Sequence, residues 1–523
     1  MASPTSKSPE QSDKNRKYDR QLRLWGEHGQ NMLENANICL INANGLGCEI
    51  LKGIILPGIG AFTIVDGSKV VEDDLGPNFF LETGSIGKPK ATICMQFLQE
   101  LNTDVKGDSV EESVEYILEN RPTFLENFDV VVASNLNEQS LLNLSDFLWR
   151  ADIPFIYCRS LGMLGSIRIQ IREHCVIESH FDNRQNDLRL EHPFSSLKQH
   201  LEKTEVTSKV PWLFVLFKYL QKWKAENSNR VPCNYKDKAA LRDMIKAEMS
   251  SNEENFEEAI KAVNTAFGGG IVSPELTKIF EDDACENLNK KSKPFWIMMK
   301  ALKDFVQNEN NGQLPLSGVL PDMTADTNSY INLQNIYRQQ ALHDADQVYR
   351  RCQSLVKELG LQSDTVLERD VRLVCREAAG ITIIRGSKIA DEYKRNFNSL
   401  CAVDDMEFKG TLMEYYIALR TYERFLCECG NIPGEYYVEN DTARFKSVAS
   451  KIFMDGGMSS ANLSDDMIHE ICHYGGSELH STSAFIGGCA AQEVIKIITK
   501  QYKPIDNTFL FNGITTESVS LKL

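Results

Sequence analysis

A regular alternation of short apolar segments with helix-length segments fills residues 31–165 and constrains the fold more than any other feature of the chain. The short apolar segments are NICLINA at 37–43, AFTIVDG at 61–67, DVVVAS at 129–134 and PFIYC at 154–158. Strands that alternate with helices form βαβ units and a parallel, doubly wound sheet. The segment 165–179 alternates apolar with polar residues, so we predict that it extends this sheet in an antiparallel direction.

A mainly helical pattern follows after about residue 180, because strand patterns are sparse between 185 and 475. Its longest element covers 328–360, where apolar residues recur at steps of three and four from Tyr330 onwards. One apolar stripe of this kind predicts a single long helix.

The α/β pattern returns near the end of the chain, with a Gly- and Ala-rich helix predicted at 484–500 and a hairpin over 507–523. We therefore predict an α/β fold with a doubly wound, mostly parallel sheet that a large, mainly helical insertion interrupts. The predicted segments are a disordered tail at 1–16, the first part of the α/β domain at 17–180, the helical insertion at 181–480 and the C-terminal part of the α/β domain at 481–523.

Composition excludes several classes of function. A net charge of −16 over 523 residues argues against a nucleic-acid partner, since neutralising phosphates requires a basic face. The 14 cysteines show no repeated spacing, which favours a reducing compartment. The most apolar stretch, at 210–223, is interrupted by lysines and is too short to span a membrane. We therefore expect a cytoplasmic protein, with the nucleus as a second compartment.

The turn INANGLGCEI at 41–50 follows a predicted strand directly. Nucleotide-binding turns of the GxGxxG type occupy such a place, because glycines permit a tight turn and close approach of a phosphate to the backbone. The three glycine positions are Asn42, Asn44 and Gly47 in this chain. Two asparagines in place of glycine indicate a turn that has changed its function.

Three further motifs accompany this turn. They are YDRQLRLWG at 18–26, LPGIGAFTIVDG at 56–67 and GGSELHSTSAFIGGCAAQEVIKIITKQYKPIDNTFLFNG at 475–513. In this order and at these separations, they resemble the adenylating enzymes that activate ubiquitin-like proteins. The resemblance is closest to the regulatory, adenylation-inactive subunits of the heterodimeric neddylation-type enzymes, and it covers the chain after residue 17. It implies a Rossmann-like adenylation fold.

The resemblance also implies a lost ATP site. Active members of the family use the glycine turn, an acidic residue after the second strand, an Asn-Arg-Gln stretch on the phosphates and an aspartate that binds magnesium. In this chain Asp66 and Lys90 fit the pattern, but Pro77 stands in place of the arginine. Leu136 stands in place of the magnesium ligand, and leucine cannot bind this ion. We therefore expect no cofactor or metal in this chain, and ATP with magnesium in a catalytic partner.

Such a subunit has two roles in the family. It forms half of a two-fold-like core with a catalytic subunit, which holds the ATP site, the nucleophilic cysteine and the ubiquitin-like modifier. Its N-terminal arginine also reaches the partner's ATP, where a guanidinium clamps the triphosphate. Arg20 matches that position, and Arg23 is the alternative. The predicted partner-contact residues are Tyr18, Arg23, Trp25, Tyr330, Leu333 and Tyr337. Packing within the chain explains the stripe of the last three equally well.

A rival motif, HEICH at 469–473, matches HExxH, in which two histidines bind zinc and Glu470 acts as general base. Gly476 fits the longer form of the motif, but Leu479 stands where a third ligand is needed and His480 lies one residue late. We prefer a helix C-terminus, where histidine suits the terminal carbonyls.

Two rival enzyme classes would use the same turn. In a nicotinamide-dependent oxidoreductase Asp66 would bind the ribose, but the two asparagines would crowd the pyrophosphate. A stand-alone adenylating enzyme is disfavoured by Leu136. Two non-catalytic hypotheses stand beside the regulatory subunit of a neddylation-type enzyme: a scaffold without a part in the chemistry, and the corresponding subunit of a sumoylation-type enzyme. The insertion of about 300 residues favours the neddylation type over the latter.

Overall fold

Two compact units make up the chain. The computed structural model describes residues 16–180, 186–249, 253–394, 411–458, 461–474 and 476–523. The first unit comprises the residues up to His174 and from Ile384 onwards, and the second comprises Cys175–Ile383. The disordered tail predicted at 1–16 lies outside the described residues except for Arg16.

An eight-stranded sheet forms the centre of the first unit. The described strands are β1 (Asn37–Ile41), β2 (Ala61–Val65), β3 (Lys106–Val110), β4 (Val130–Ser134), β5 (Phe155–Leu161), β6 (Leu164–Gln170), β7 (His174–Val176), β8 (Thr382–Ile384), β9 (Thr508–Asn512) and β10 (Glu517–Leu521). All but β7 and β8 belong to this sheet, in the order β10-β9-β6-β5-β4-β1-β2-β3.

The strands β3, β2, β1, β4 and β5 run parallel, whereas β6, β9 and β10 add in antiparallel pairs. The predicted doubly wound sheet, its antiparallel extension and the C-terminal hairpin are therefore confirmed. The sequence did not predict β3, because this edge strand, KGDSV, is polar and partly exposed. The order in which the chain adds strands reverses between the parallel neighbours β1 and β4, and open α/β sheets bind ligands at the carboxyl ends of the strands at such a point.

Helices cover the sheet and form most of the second unit. The described helices are α1 (Asp19–Glu34), α2 (Gly45–Ile55), α3 (Lys90–Gln99), α4 (Val114–Asn120), α5 (Glu138–Ala151), α6 (Ser195–Lys203), α7 (Trp212–Glu226), α8 (Tyr235–Glu248), α9 (Glu254–Ala262), α10 (Pro274–Phe280), α11 (Asp283–Glu286), α12 (Pro294–Asn308), α13 (Thr327–Glu358), α14 (Glu368–Glu377), α15 (Ile389–Glu392), α16 (Leu412–Cys429), α17 (Val438–Asp455), α18 (Asp465–Tyr474) and α19 (His480–Thr499). None of these helices is long and apolar enough to cross a membrane.

The pair α2 and α19 places the segment before α19 beside the turn after β1. The two helices approach so closely that a Cβ atom added at Gly53 would lie 2.6 Å from the Cβ atom of Ala491. Small residues permit this approach, which explains the Gly- and Ala-rich sequence predicted as a helix at 484–500. The packing therefore joins the N-terminal and C-terminal parts of the first unit.

The second unit is mainly helical. Its long helix α13 has 32 residues and confirms the helix predicted at 328–360. The predicted stripe is buried in two separate clusters, with Leu333 and Tyr337 in one and Val348 and Cys352 in the other. The amphipathic pattern thus arises because α13 supplies side chains to both cores.

The insertion is shorter than predicted. The helices α16, α17 and α18 share a buried cluster with Leu161, Leu164 and Leu510 of the central sheet. The second unit therefore ends at Ile383, whereas the predicted insertion extended over 181–480. Helical periodicity shows that a segment is a helix, but it does not show which core that helix joins.

A pair of leucines on α13 tests this packing. Leu333 is fully buried, whereas Leu342 on the same helix is 39% exposed. We expect Leu333→Ala to lower the free energy of unfolding by about 2–4 kcal/mol, because it deletes buried methyl groups and leaves a cavity. The matched control Leu342→Ala should change this free energy by no more than about 0.5 kcal/mol. Urea unfolding of the isolated chain, followed by circular dichroism, measures both, and equal effects would contradict the buried position of Leu333.

Candidate functional site

The turn after β1 keeps the backbone shape of a nucleotide-binding turn with one of three glycines. Asn42 has a φ of 71°, a left-handed conformation that glycine favours and asparagine tolerates. Asn44 caps α2, because its Oδ1 accepts a hydrogen bond from the backbone N–H of Gly47 at 2.9 Å. A Cβ atom at Gly47 would lie 2.5 Å from the carbonyl oxygen of Asn42, so only this position requires glycine.

Both asparagine side chains are fixed against the end of β4. Nδ2 of Asn42 donates to the carbonyl oxygen of Ser134 at 2.8 Å, and Oγ of Ser134 donates to Oδ1 of Asn44 at 2.6 Å. Glycines at these positions have no side chain and would let a phosphate approach the backbone closely. The asparagines instead fill that space with bonds inside the chain.

A carboxylate from a distant part of the sequence lies at the N-terminal end of α2. Oε1 of Glu478 accepts hydrogen bonds from Nδ2 of Asn44 and, at 2.8 Å, from Nδ2 of Asn135. Oε2 of Glu478 accepts from the backbone N–H of Leu46 at 3.2 Å. Free N–H groups and the helix dipole favour an anion at this place, which is where nucleotide-binding turns hold a phosphate. This chain supplies an acceptor for these N–H groups itself, the carboxyl group of Glu478.

A cleft of about 850 Å³ opens at the carboxyl ends of β1, β2 and β4. Its lining includes five carboxylate side chains, which belong to Asp66, Glu111, Glu112, Glu115 and Glu435. Its lining residues include no lysine or arginine, and of the five carboxylates Glu112 is paired with Arg121 outside the lining. A polyphosphate in this cleft would therefore meet mainly like charge.

The residues expected to bind a ribose and a metal have other roles here. Oδ2 of Asp66 accepts from the N–H of Ala43 at 2.8 Å, and its Oδ1 accepts from the N–H and the Oγ of Ser68 at 2.8 and 2.6 Å. Asp66 thus holds the turn together. Leu136 lines the cleft with an apolar side chain, and its carbonyl oxygen accepts from the hydroxyl of Tyr157 at 3.2 Å.

The segment with Pro77 also serves the turn rather than a phosphate. Nδ2 of the buried Asn78 donates to the carbonyl oxygen of Ala43 at 3.2 Å. Lys90, which fits the family pattern, begins α3 and places its Nζ 2.8 Å from Oδ1 of Asp74. The lysine charge is therefore already balanced by a carboxylate.

These residues do not fit ATP and magnesium. Glu478 occupies the anion position, Leu136 offers no ligand to a metal, and no cation lines the described part of the cleft. Glu478 was not among the predicted site residues, because it lies 434 positions from Asn44 and no local pattern connects the two. Only the packing of α19 on α2 brings the two residues together.

The aromatic side chains around the start of α1 are buried. Tyr18 is 2% and Trp25 is 7% exposed. The Tyr18 hydroxyl accepts from Nδ2 of Asn102 at 3.0 Å, and Nε1 of Trp25 donates to Oε1 of Gln30 at 3.1 Å. Packing within this chain therefore explains these two side chains, and their predicted contacts with a partner stay a prediction.

The two arginines of this segment differ in their surroundings. Arg20 is exposed, between the buried Tyr18 and Trp25. Arg23 is also exposed, but its Nη2 lies 3.0 Å from Oδ2 of Asp19, one helical turn away. A local carboxylate thus holds Arg23 on the surface of its own helix.

The predicted contact residues of α13 are also explained within the chain. Leu333 and Tyr337 are fully buried, and the Tyr337 hydroxyl donates to the carbonyl oxygen of Leu188 at 2.5 Å. Tyr330 is partly buried, and its hydroxyl donates to the carbonyl oxygen of Pro321 at 3.3 Å. These positions support intrachain packing as the explanation of the stripe.

The HEICH motif lies on α18, with His469 and His473 exposed. Over the described ranges of the chain, no group of three or more His, Cys, Asp or Glu side chains is placed to hold a metal ion. The helix ends at Tyr474, one residue after His473, which fits the interpretation as a helix C-terminus.

Opposing influences set the proton affinity of Glu478. Burial raises the pKa of Glu478 to about 7, and the negative charge of Asp74 adds to the rise. Backbone N–H donors of α2 and the charge of Lys90 lower the pKa without cancelling the effect of burial. The negative charge of Glu478 in turn contributes to the raised pKa of Tyr422 and of Cys48.

The raised pKa predicts a pH-dependent stability. Between about pH 4.5 and 7 the folded chain holds a proton on Glu478 that the unfolded chain has released, so stability due to this group falls as the pH rises. We expect the difference in unfolding free energy between the natural chain and Glu478→Gln to decrease across this window. Urea unfolding of both proteins at a series of pH values measures the difference. A difference that stays constant or increases would contradict the raised pKa.

Comparisons with known proteins identify the family. The model of the ThiF family matches residues 18–522. The chain is 64% identical to the Nedd8-activating enzyme E1 regulatory subunit of Drosophila melanogaster over 100% of both chains. It is 44% identical to the NEDD8-activating enzyme E1 regulatory subunit of Danio rerio, over 98% of this chain and 99% of the relative.

More distant proteins extend the comparison. The NEDD8-activating enzyme E1 regulatory subunit AXR1 of Arabidopsis thaliana is 37% identical over 97% of this chain and 96% of its own. A crystal structure of E. coli MccB with SeMet MccA aligns with a TM-score of 0.26 at 18% identity, over 30% of this chain and 48% of that chain, which is too small a likeness to carry an argument. The full-length relatives confirm the resemblance found in the sequence motifs. The chain belongs to the ThiF family, among the NEDD8-activating enzyme E1 regulatory subunits.

Proposed function

We propose that this chain is the non-catalytic subunit of a heterodimer whose catalytic subunit carries ATP, magnesium and the nucleophilic cysteine. The partner adenylates the C-terminus of NEDD8, captures it as a thioester and passes it to a conjugating enzyme. The observation that carries this proposal is the Glu478 carboxylate in the phosphate position, in a chain whose relatives are named regulatory subunits.

Retention of the whole sheet without the nucleotide site supports a role in assembly. The parallel strands, the turn after β1 and the α2–α19 pair all keep the form of a nucleotide-binding domain. A two-fold-like core needs the same surfaces on both halves, because related elements meet across its interface. Selection for this interface preserves the fold when the ATP site is no longer used.

The arginine supplied to the partner is proposed to be Arg20. Tyr18 and Trp25 anchor their segment in the core, so the helix between them is held in place. Arg20 is exposed on this held helix, whereas Asp19 engages Arg23. A guanidinium binds phosphate oxygens with paired, charge-assisted hydrogen bonds, and it offsets the charge that builds during adenylyl transfer.

ATP–pyrophosphate exchange in the presence of NEDD8 tests whether adenylation requires both subunits and whether this chain catalyses it alone. The assay compares this chain alone, its catalytic partner alone and the two mixed. We expect exchange at full rate only in the mixture, because this chain lacks the groups that bind the triphosphate. Exchange by this chain alone would contradict the proposal.

The role of Arg20 is tested in the assembled heterodimer. We expect Arg20→Ala to slow exchange by about 10–100-fold, the effect of losing charged hydrogen bonds in a transition state. The matched control Arg23→Ala should stay within about twofold of the natural chain, since it removes only an exposed ion pair with Asp19, which contributes little. Gel filtration confirms that both variants assemble. A normal rate for the assembled Arg20→Ala heterodimer would favour the scaffold hypothesis, and failure to assemble would make Arg20 a structural residue.

A further inference from the structure

An aromatic patch forms where α19 meets the C-terminal hairpin. Its members are Phe485 of α19 and Phe509 and Phe511 of β9. The ring centroid of Phe485 lies 4.5 Å from that of Phe511 and 6.4 Å from that of Phe509. Phe485 is 43% exposed, and the two rings of β9 are partly buried. The patch therefore leaves apolar ring surface in contact with water.

The neighbouring strand β10 does not cover the aromatic patch. In the register of the hairpin, Ser518 pairs with Phe511 and Ser520 pairs with Phe509. Paired residues point to the same side of a sheet, and both serines are exposed. The strand thus places small hydroxyl side chains beside the rings. Exposed apolar surface of this kind marks sites of contact with other proteins.

Gly488 lies one helical turn after Phe485 and is exposed. The preceding Gly487 has a packing reason, because a Cβ atom there would lie 2.8 Å from the Cβ atom of Glu49 on α2. A Cβ atom added at Gly488 would meet no atom of the described residues within 4 Å beyond its chain neighbours and its own helix backbone. Glycine inside a helix is less stable than alanine. Packing within the chain does not explain Gly488, whereas close approach of another protein to the helix backbone does.

The aromatic patch lies on the side of the central sheet that α19 covers. Phe511 pairs with Gly165 of β6, and a Cβ atom added at Gly165 would clash with Ile486 of α19. Leu510, between the two phenylalanines of β9, points to the other side and joins the buried cluster of α16, α17 and α18. The patch therefore shares its side with α19 and not with these three helices.

The helix that carries Arg20 contacts the same part of the chain. Gln501 follows α19, and its Nε2 donates to the carbonyl oxygen of Trp25 on α1 at 2.9 Å. Leu24 is 50% exposed and lies one turn after the exposed Arg20, on the same face of α1. A partner that binds Arg20 therefore meets apolar surface on α1 and, along α19, on the aromatic patch.

We propose that the aromatic patch, together with Gly488, is a docking surface for the catalytic subunit. Apolar side chains of that subunit pack against the rings, and its backbone approaches α19 closely at Gly488. Aromatic side chains buried in the centre of an interface contribute much of the binding free energy. The proposal rests on the proposed function, because the subunit whose ATP receives Arg20 has to lie against α1 and α19.

Competition for a limiting amount of the catalytic subunit tests the proposal. Equimolar natural chain and full-length variant are mixed with it, and intact mass spectrometry of the isolated heterodimer gives the ratio of the two chains. We expect Phe485→Glu to bind about 10–100-fold more weakly than the natural chain, because the interface would bury a charge in place of a ring. Binding equal to that of the natural chain would overturn the proposal.

The matched control for this substitution is Met454→Glu. Met454 is a 65% exposed apolar residue on α17, a helix of the buried cluster on the opposite side of the sheet. We expect this variant to bind the catalytic subunit within about twofold of the natural chain, since it introduces the same charge outside the docking surface. Equal weakening by Met454→Glu and Phe485→Glu would show an effect of charge alone and overturn the proposal.

The variant Gly488→Gln separates docking from folding. Glutamine is a better helix former than glycine, so the Tm of the isolated chain should rise by about 1–2 °C. The added side chain hinders close approach of the catalytic subunit, so we expect about tenfold weaker binding in the same competition. Unweakened binding of Gly488→Gln would overturn the proposal, also where Phe485→Glu does not fold.

Further results distinguish this proposal from the proposed function and from other occupants. If the natural chain forms no heterodimer with the catalytic subunit, the proposed function is itself wrong. If the heterodimer forms and both variants bind normally, only the docking surface is wrong. A homodimer of the isolated chain that Phe485→Glu dissociates in sedimentation velocity would assign the patch to a second copy. A higher KM for NEDD8 with unchanged heterodimer binding would assign it to the modifier, and either result overturns the proposal.

Discussion

The hydrogen bonds between Glu478 and the start of α2 connect the two sequence-distant parts of the first unit at the point where a nucleotide would bind. In a parallel sheet of this kind, the helix that follows β1 begins at the carboxyl ends of the strands. Its first backbone N–H groups have no acceptor within the helix and require one from elsewhere. An active nucleotide site obtains its acceptor from a phosphate. This chain obtains it from its own carboxylate, so the turn is complete without a ligand. The asparagines, the acid-lined cleft and Leu136 are all compatible with this arrangement, because no phosphate or metal has to be accommodated.

The asparagine side chains of the turn are tied into the fold by hydrogen bonds. Asn42 and Asn44 occupy two positions where a nucleotide-binding turn has glycine. Each asparagine side chain forms a hydrogen bond with Ser134 that glycine could not form. Asp66 keeps its place but bonds to the N–H of Ala43. These three side chains thus have structural roles in this chain.

Much of this organisation follows from the sequence, and the remainder depends on contacts between distant segments. The apolar strands β1 and β4, the long helix α13 and the loss of glycines in the turn were all predicted, because each has a local pattern. The edge strand β3 was missed because it is polar. The stripe on α13 left burial of Tyr337 within the chain and contact with a partner equally open, because a stripe does not identify what covers it. The burial of Tyr18 and Trp25 was not predicted. Glu478 was missed because only the fold brings it to Asn44. Helices α16 to α18 were assigned to the insertion for the same reason, since the sheet residues that cover them are far away in sequence.

A crystal structure of the isolated chain, grown with magnesium and millimolar ATP, tests most directly whether the chain fills its own nucleotide turn. We predict that the carboxylate of Glu478 lies within hydrogen-bond distance of the Leu46 N–H and that no nucleotide occupies the acid-lined cleft. A bound ATP with its phosphates at the start of α2, and with Glu478 displaced, would contradict this account. Such a result would show that the asparagine turn still binds nucleotides.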